Sequence, residues 1–312
     1  LKDDNPHFYS HLGNLLRKTG ALDGAKEALE KAIALDPSIP DPHMQLSSIY
    51  DQLGDTNLAI QKVQDALALK DDDPHFYFHL GSLLRKIGDL DGAKEAQEKA
   101  IGVEPSLPAP HMQLSHIFNQ LGDSTLAIRK VQDALALKDD NPHFYSHLGN
   151  LLRKTGALDG AKEALEKAIA LEPSLPAPHM QLSSIYDQLG DSNLAIQKVQ
   201  DALALKDDDP HYYFYLGSLL RKIGDLDGAK EAQEKAIALD PSIPGPHMQL
   251  SHIFNQLGDS KMAIRKVQDA LALKDDNPHF YSHLGNLLRK TGDLEGAKDA
   301  LEKAIALDPS MN

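Results

Sequence analysis

A chain of 312 residues with 41% hydrophobic side chains carries enough apolar surface to fold, while its formal net charge of -14 argues against a nucleic-acid binder, whose phosphate contacts need clustered Lys and Arg. It contains no cysteine, which excludes disulfides, thiolate metal sites and cysteine nucleophiles and fits a reducing, cytoplasmic compartment. No apolar run reaches the length of a membrane-spanning helix, so membrane insertion is not expected.

The residues recur. A 34-residue unit that starts at Pro6 restarts at Pro40, Pro74, Pro108, Pro142, Pro176, Pro210, Pro244 and Pro278, giving nine copies over 6–39, 40–73, 74–107, 108–141, 142–175, 176–209, 210–243, 244–277 and 278–311. A fixed short period predicts a single quasi-one-dimensional stack over 1–312, in which apolar side chains are buried between neighbouring units. The opening residues LKDDN match the end of an even-numbered unit, LALKDDN at 135–141. The chain therefore reads as starting inside an array already under way, with no start methionine or signal peptide. The ending ALDPSMN closes the ninth unit without a further polar helix, which suggests a fragment or an array that associates end to end.

In odd units the first predicted helix runs from about Pro6 to Lys18, with Asn5 as its cap and Pro6 where a missing N–H costs nothing. Phe8, Leu12, Leu15 and Leu16 then form one apolar stripe. Gly20 is suited to the left-handed turn that ends this helix, and a second helix follows through Leu22, Ala25, Ala28, Leu29, Ala32 and Ile33 until Pro37. Its alanines let two helix axes approach closely, and Glu27 and Lys31 decorate the solvent side. Even units, such as 40–73, keep the glycine (Gly54) and alanines (Ala59, Ala66) but change the rest. There Pro42 is expected to delay the first helix, Leu46, Ile49, Tyr50 and Leu53 to be its buried stripe, and Asp55 or Thr56 to cap the second. The chemical period is thus 68 residues, and the block 5–140 is repeated with few substitutions as 141–276, which points to recent duplication or engineering.

Leu12, Gly13, Gly20, Ala25, Ala32 and Pro37 match the pattern of the tetratricopeptide repeat (TPR) family, and the turn glycine and both alanines recur in all nine units. The chain resembles that family over essentially its whole length. The resemblance implies an all-α, right-handed superhelical solenoid of nine helix-turn-helix repeats, whose first helices line a concave groove that receives a peptide or protein segment. Departures are Tyr9 or His43 where the family often has Trp, and Ser47 and Asp71 in even units, all read as core adjustments. Gln97 and Gln233 stand where Leu29 packs in the first unit, and a buried amide without partners costs roughly 1 to 3 kcal/mol, so each is expected to find a hydrogen bond or reach solvent.

Opposite the apolar stripe, His7, Ser10, His11, Asn14, Arg17 and Lys18 share one polar helix face, which the resemblance places in the groove. Even units contribute Asp41, Met44, Gln45, Ser48, Asp51 and Gln52. One register reads His11, Gln45, His79, Gln113, His147, Gln181, Tyr215, Gln249 and His283, a ladder able to hydrogen-bond an extended backbone. It is similar in logic to the asparagine ladder of the superhelical TPR region of the O-GlcNAc transferase family; a hydrated groove that merely keeps the array soluble is the alternative. Arg17/Lys18 recur as Arg85/Lys86, Arg153/Lys154, Arg221/Lys222 and Arg289/Lys290, and Asn14 as Asn150 and Asn286, so an acidic protein carries a basic stripe suited to acidic segments. The TPR carboxylate clamp is poorly matched, with Ser10, Met44 or Phe78 where a Lys is needed. Phe78, Phe214, Met44, Met112, Met180 and Met248 offer either shallow apolar pockets for a ligand or intramolecular packing.

His7/His11 and their copies have a metal-chelating spacing, but two ligands are not a site, and no metal or cofactor is expected. His43, His111, His179 and His247 read as core residues. Histidines on the polar face, at their ordinary value of about 6.5, would charge on mild acidification and strengthen binding of acidic partners. Candidate catalytic groups would recur with the repeat, and no GxGxxG, Walker, HExxH or GxSxG motif is present, so an enzyme is not expected. The sequence reads as a protein–protein interaction scaffold. A substrate-recognition region from a larger enzyme such as a glycosyltransferase, and a structural array that self-associates end to end, are the alternatives.

Overall fold

Proline and glycine punctuate this chain so regularly that its helices follow almost from their placement, as the computed structural model of residues 5–311 shows. Among the described residues there are eighteen α-helices, one short 3-10 turn and no strand. Leu1–Asp4, most of the stretch read as the tail of an earlier repeat, and Asn312 lie outside them.

The chain divides between Ala157 and Leu158 into two compact units. The first holds α1 (Pro6–Lys18), α2 (Leu22–Leu35), α3 (Asp41–Gln52), α4 (Thr56–Leu69), α5 (Pro74–Lys86), α6 (Leu90–Val103), α7 (Pro108–Gln120), α8 (Ser124–Leu137) and α9 (Pro142–Lys154). The second holds α10 (Leu158–Leu171), α11 (Pro176–Gln188), α12 (Ser192–Leu205), α13 (Pro210–Ile223), α14 (Leu226–Leu239), α15 (Pro244–Gln256), α16 (Ser260–Leu273), α17 (Pro278–Thr291), α18 (Leu294–Leu307) and the 3-10 turn Pro309–Met311. Within each unit consecutive helices pack on one another, and first helices of adjacent repeats also touch, as in α1–α3, α5–α7 and α13–α15.

Local chemistry explains the boundaries. Asn5 accepts a hydrogen bond from the His7 backbone N–H at 3.0 Å, and Asp73, Asn141, Asp209 and Asn277 cap the other odd first helices in the same way. The nine turn glycines all have φ between 81° and 90°, a region costly for any residue with a β-carbon. Asp55 caps α4 by accepting from the Leu58 N–H at 3.1 Å. Even first helices are not delayed by their second proline: α7, α11 and α15 begin at Pro108, Pro176 and Pro244, and α3 only one residue later than the start of its repeat. The reason is that Pro42 and its copies still lie in the first turn, where backbone N–H groups have no helical acceptor to lose.

The core is small-residue packing between helices. Ala25, Ala28, Leu29 and Ala32 of α2 are buried, and Ala25 and Leu29 pack against Leu46 and Ile49 of α3. The expected stripe of α1 is an inter-repeat surface and not a self-contained one. Phe8, Leu12 and Leu15 are 70%, 44% and 60% exposed, whereas the matching Phe76 and Leu83 of α5 are buried on Ala59, Ile60 and Val63 of α4. Leu53 is also exposed, because the helix has ended at Gln52 and the chain is turning. Gln97 and Gln233 are fully buried, and each donates from Nε2 to a carbonyl, that of Phe78 or Phe214, at 3.0 Å. Their Oε1 atoms have no partner, so the expected satisfaction is half achieved. A β-carbon at Gly81 or Gly217 would run into these amides, as one at Gly13 would run into Leu29.

Candidate functional site

The polar residues of the first helices meet across repeats, and many of them bind each other. Gln45 Nε2 donates to Ser10 Oγ at 3.1 Å, Arg85 Nε to Gln113 Oε1 at 3.2 Å, and Arg221 Nε to Gln249 Oε1 at 2.9 Å. His79, His147 and His283 place Nε2 at 3.0, 2.9 and 3.0 Å from the buried hydroxyls of Ser47, Ser115 and Ser251. The predicted ladder is therefore a set of neighbours joined sideways into the stack, with His11 exposed at its beginning and Gln181 and Tyr215 partly buried. Ser47, Ser115 and Ser251 are polar joints to the next repeat, a larger role than the core adjustment expected of them.

The serine geometry fixes a tautomer. Ser115 and Ser251 donate their single hydroxyl proton to the Ala127 and Ala263 carbonyls at 2.7 Å, so each must accept from the histidine, whose Nε2 carries hydrogen. A hydroxyl so engaged is not a nucleophile awaiting a base.

The apolar candidates divide. Met112 and Met248 are buried, and Met248 lies in the cluster of Ala263, Val267 and Leu284. They serve the core and not a ligand surface, because the neighbouring second helix covers them. Met44 and Met180 are partly buried against Ala59 with Val63 and against Ala195 with Val199. Phe214 packs toward Gly245, where a β-carbon would stand 3.1 Å from its ring. Phe78 is partly buried.

The basic stripe is uneven. Lys86 and Lys222 form ion pairs at 2.6 Å with Asp51 and Asp187 of the preceding repeat. In the ninth repeat Lys290 instead donates to the amide oxygen of Asn255 at 2.8 Å, and Asn119 holds the corresponding place before Lys154. Lys18 and Lys154 are exposed, and no ion pair forms at either among the described residues. Arg17 and Arg289 are held by Asn14 and Asn286 at 3.1 and 3.3 Å, and Arg153 by Asn150 at 3.2 Å. His7 and Gln52 are exposed and Asp41 lies at a helix start.

At His79, His147 and His283 acidification does not act as expected. Burial lowers the pKa of His79, and burial first, then a neighbouring imidazole, pushes His147 and His283 down to about 4. The neighbours are His116 and His252, with ring centroids 4.1 Å from those of His147 and His283. His147 and His283 stay neutral where free imidazoles charge. His43 is buried with Nδ1 3.6 Å from Asp65, and burial lowers its pKa more than Asp65 raises it. Among the described residues no group of three or more His, Asp or Glu is placed to hold a metal ion, and no helix is long and apolar enough to cross a membrane.

His116, His252, Asn119 and Asn255 stand where the first even repeat has Ser48 and Asp51, so that repeat is not the pattern for all four even ones. Aligning even repeats with each other would have exposed them. The face repeats its chemistry every four repeats, not every two.

Sequence profiles described as tetratricopeptide repeat match residues 6–39, 210–243 and 278–311, and a second profile of the same description matches 74–107 and 142–175. No curated protein matches. Among solved structures, one described as the APC/C hetero-tetramer Cut9-Hcn1 aligns with a TM-score of 0.62 at 18% identity, over 88% of this chain and 54% of the other, so this chain spans about half its length. One described as Pseudomonas aeruginosa pilF aligns at 0.60 and 18% identity, over 70% of this chain and 98% of that one. At such identities these likenesses are of fold. Recurrent paired helices, nine left-handed turn glycines and five repeats matched by family profiles over more than half of the sequence lead to one assignment: the chain belongs to the tetratricopeptide repeat family.

Proposed function

We propose that the first-helix face is a concave groove that binds an extended acidic segment of a partner protein, making the chain a protein–protein interaction scaffold. A TPR array typically serves as such a scaffold, and the basic stripe specifies the ligand's charge. The observation that carries this reading is that a chain of net charge -14 keeps Lys18, Lys154 and Lys290 on this face without a carboxylate partner among the described residues. An exposed charge pair contributes only about 0 to 1 kcal/mol, so useful affinity requires several repeats to engage one ligand together.

The test is charge reversal in the ninth repeat. Arg289→Glu with Lys290→Glu should weaken binding of a fluorescent oligoglutamate peptide about tenfold or more, with helicity and melting unchanged. The matching change at Arg85 and Lys86 is a poorer probe, since it also breaks the ion pair with Asp51. Unaltered binding by the Arg289/Lys290 variant would sink the groove reading.

A further inference from the structure

The junctions between even and following odd repeats come in two chemical kinds. At α3–α5 and α11–α13 the face carries Ser48 with Asp51 and Ser184 with Asp187, and each aspartate holds the next repeat's lysine at 2.6 Å. At α7–α9 and α15–α17 the same places hold His116 with Asn119 and His252 with Asn255. The carboxylate has gone, and an imidazole has been brought to within 4.1 Å of a second imidazole.

The electrostatic surroundings differ accordingly. His79, at the first kind of junction, feels the negative charge of Asp51. His116 lies near the Arg85 cation, His147 near Lys154 and the His116 ring, His252 near the Arg221 cation, and His283 near the His252 ring, with no carboxylate among these neighbours. A cavity of about 420 Å³ opens at the second of these junctions, lined by Asn255, His283, Asn286, Leu287, Arg289 and Lys290. Its walls offer two cations, two amides and an imidazole, and no negative group. An anion is the species that two permanent cations and these neutral polar side chains would hold together.

We propose that the α7–α9 and α15–α17 junctions are anion subsites, each taking a carboxylate of an acidic protein segment, while the α3–α5 and α11–α13 junctions are closed to carboxylates by their own aspartates. The inference rests on the groove reading above and gives the ligand a pattern, with acidic groups favoured at alternate even repeats and not at every one. The chain supplies its own control, because each kind of junction already occurs twice and is compatible with the fold.

The experiment titrates oligoglutamate peptide into three versions of the full chain. The variant His116→Ser, Asn119→Asp, His252→Ser, Asn255→Asp, which gives all four junctions the closed chemistry, should bind about tenfold or more weakly at unchanged melting temperature. The reverse variant, Ser48→His, Asp51→Asn, Ser184→His, Asp187→Asn, should bind more tightly than the parent. Equal affinity in all three would overturn the subsites and leave the groove standing. No binding even to the parent chain would overturn both.

Discussion

Gln97 illustrates how a single buried side chain can be legible in kind and not in detail. Its sequence position marks it as an amide where leucine packs, and the physical cost of burial demands a partner; only the structure shows that Nε2 finds the Phe78 carbonyl while Oε1 finds nothing. The same carbonyl also accepts from Ser82 Oγ at 2.9 Å, so it is not left bare if the amide is removed. Gln97→Leu recreates the Leu29–Gly13 packing against Gly81 and should raise the urea midpoint, with a gain of about 1 kcal/mol from removal of the unmet acceptor. A clear loss of stability would show that the half-satisfied amide is worth more than its burial costs. The histidines carry a second prediction. His147 and His283 are neutral in the folded chain down to about pH 4, whereas the unfolded chain protonates them near 6.5. Between those values the unfolded state binds more protons, so stability falls as pH drops through this window. Replacing both with Tyr, the residue that Tyr215 already provides in the seventh repeat, should flatten the decline in melting temperature between about pH 7 and pH 5. An equal decline in parent and variant would place the proton uptake elsewhere.

At the scale of the helix, most boundaries were readable because their causes are local. Proline at the first helical position, an Asx residue before it and a left-handed glycine after it act within a few residues of one another, so no knowledge of packing is needed. The stripe of α1 was misjudged for the opposite reason. Whether Phe8, Leu12 and Leu15 are covered depends on a helix of a neighbouring repeat, which periodicity within one helix cannot report. The caps also expose a gap that can be filled. Ala21 precedes α2 with φ -80° and ψ 66° and gives no side-chain bond, while Asp89 precedes α6 with φ -76° and ψ 81° and accepts from the Gly92 N–H at 3.0 Å. Since the backbone is already shaped for the cap, Ala21→Asp should stabilise α2 by about 1 kcal/mol. Slower hydrogen exchange at the Gly24 amide, the expected donor, is the readout; unchanged exchange there would mean that the carboxylate stays in solvent.

Over the whole molecule, net charge and local charge point in opposite directions for an acidic ligand. The excess of 46 Asp and Glu over 32 Lys and Arg repels an anionic peptide at long range, while the basic side chains of the first-helix face attract it only at close quarters. Salt separates the two, because its screening length falls from about 30 Å at 0.01 M to about 8 Å at 0.15 M. Far-field repulsion is lost first. Contacts made within a few ångströms, between partly buried groups and a ligand seated on them, are screened much less. The association rate of oligoglutamate with the full chain should therefore rise as NaCl is raised across that range, while the dissociation rate also rises through partial screening of the bound pairs. Stopped-flow fluorescence measures both. An association rate that instead falls steadily from the lowest salt would mean that the basic face governs the field felt at a distance, and that the net charge of -14 says little about how an acidic partner is found.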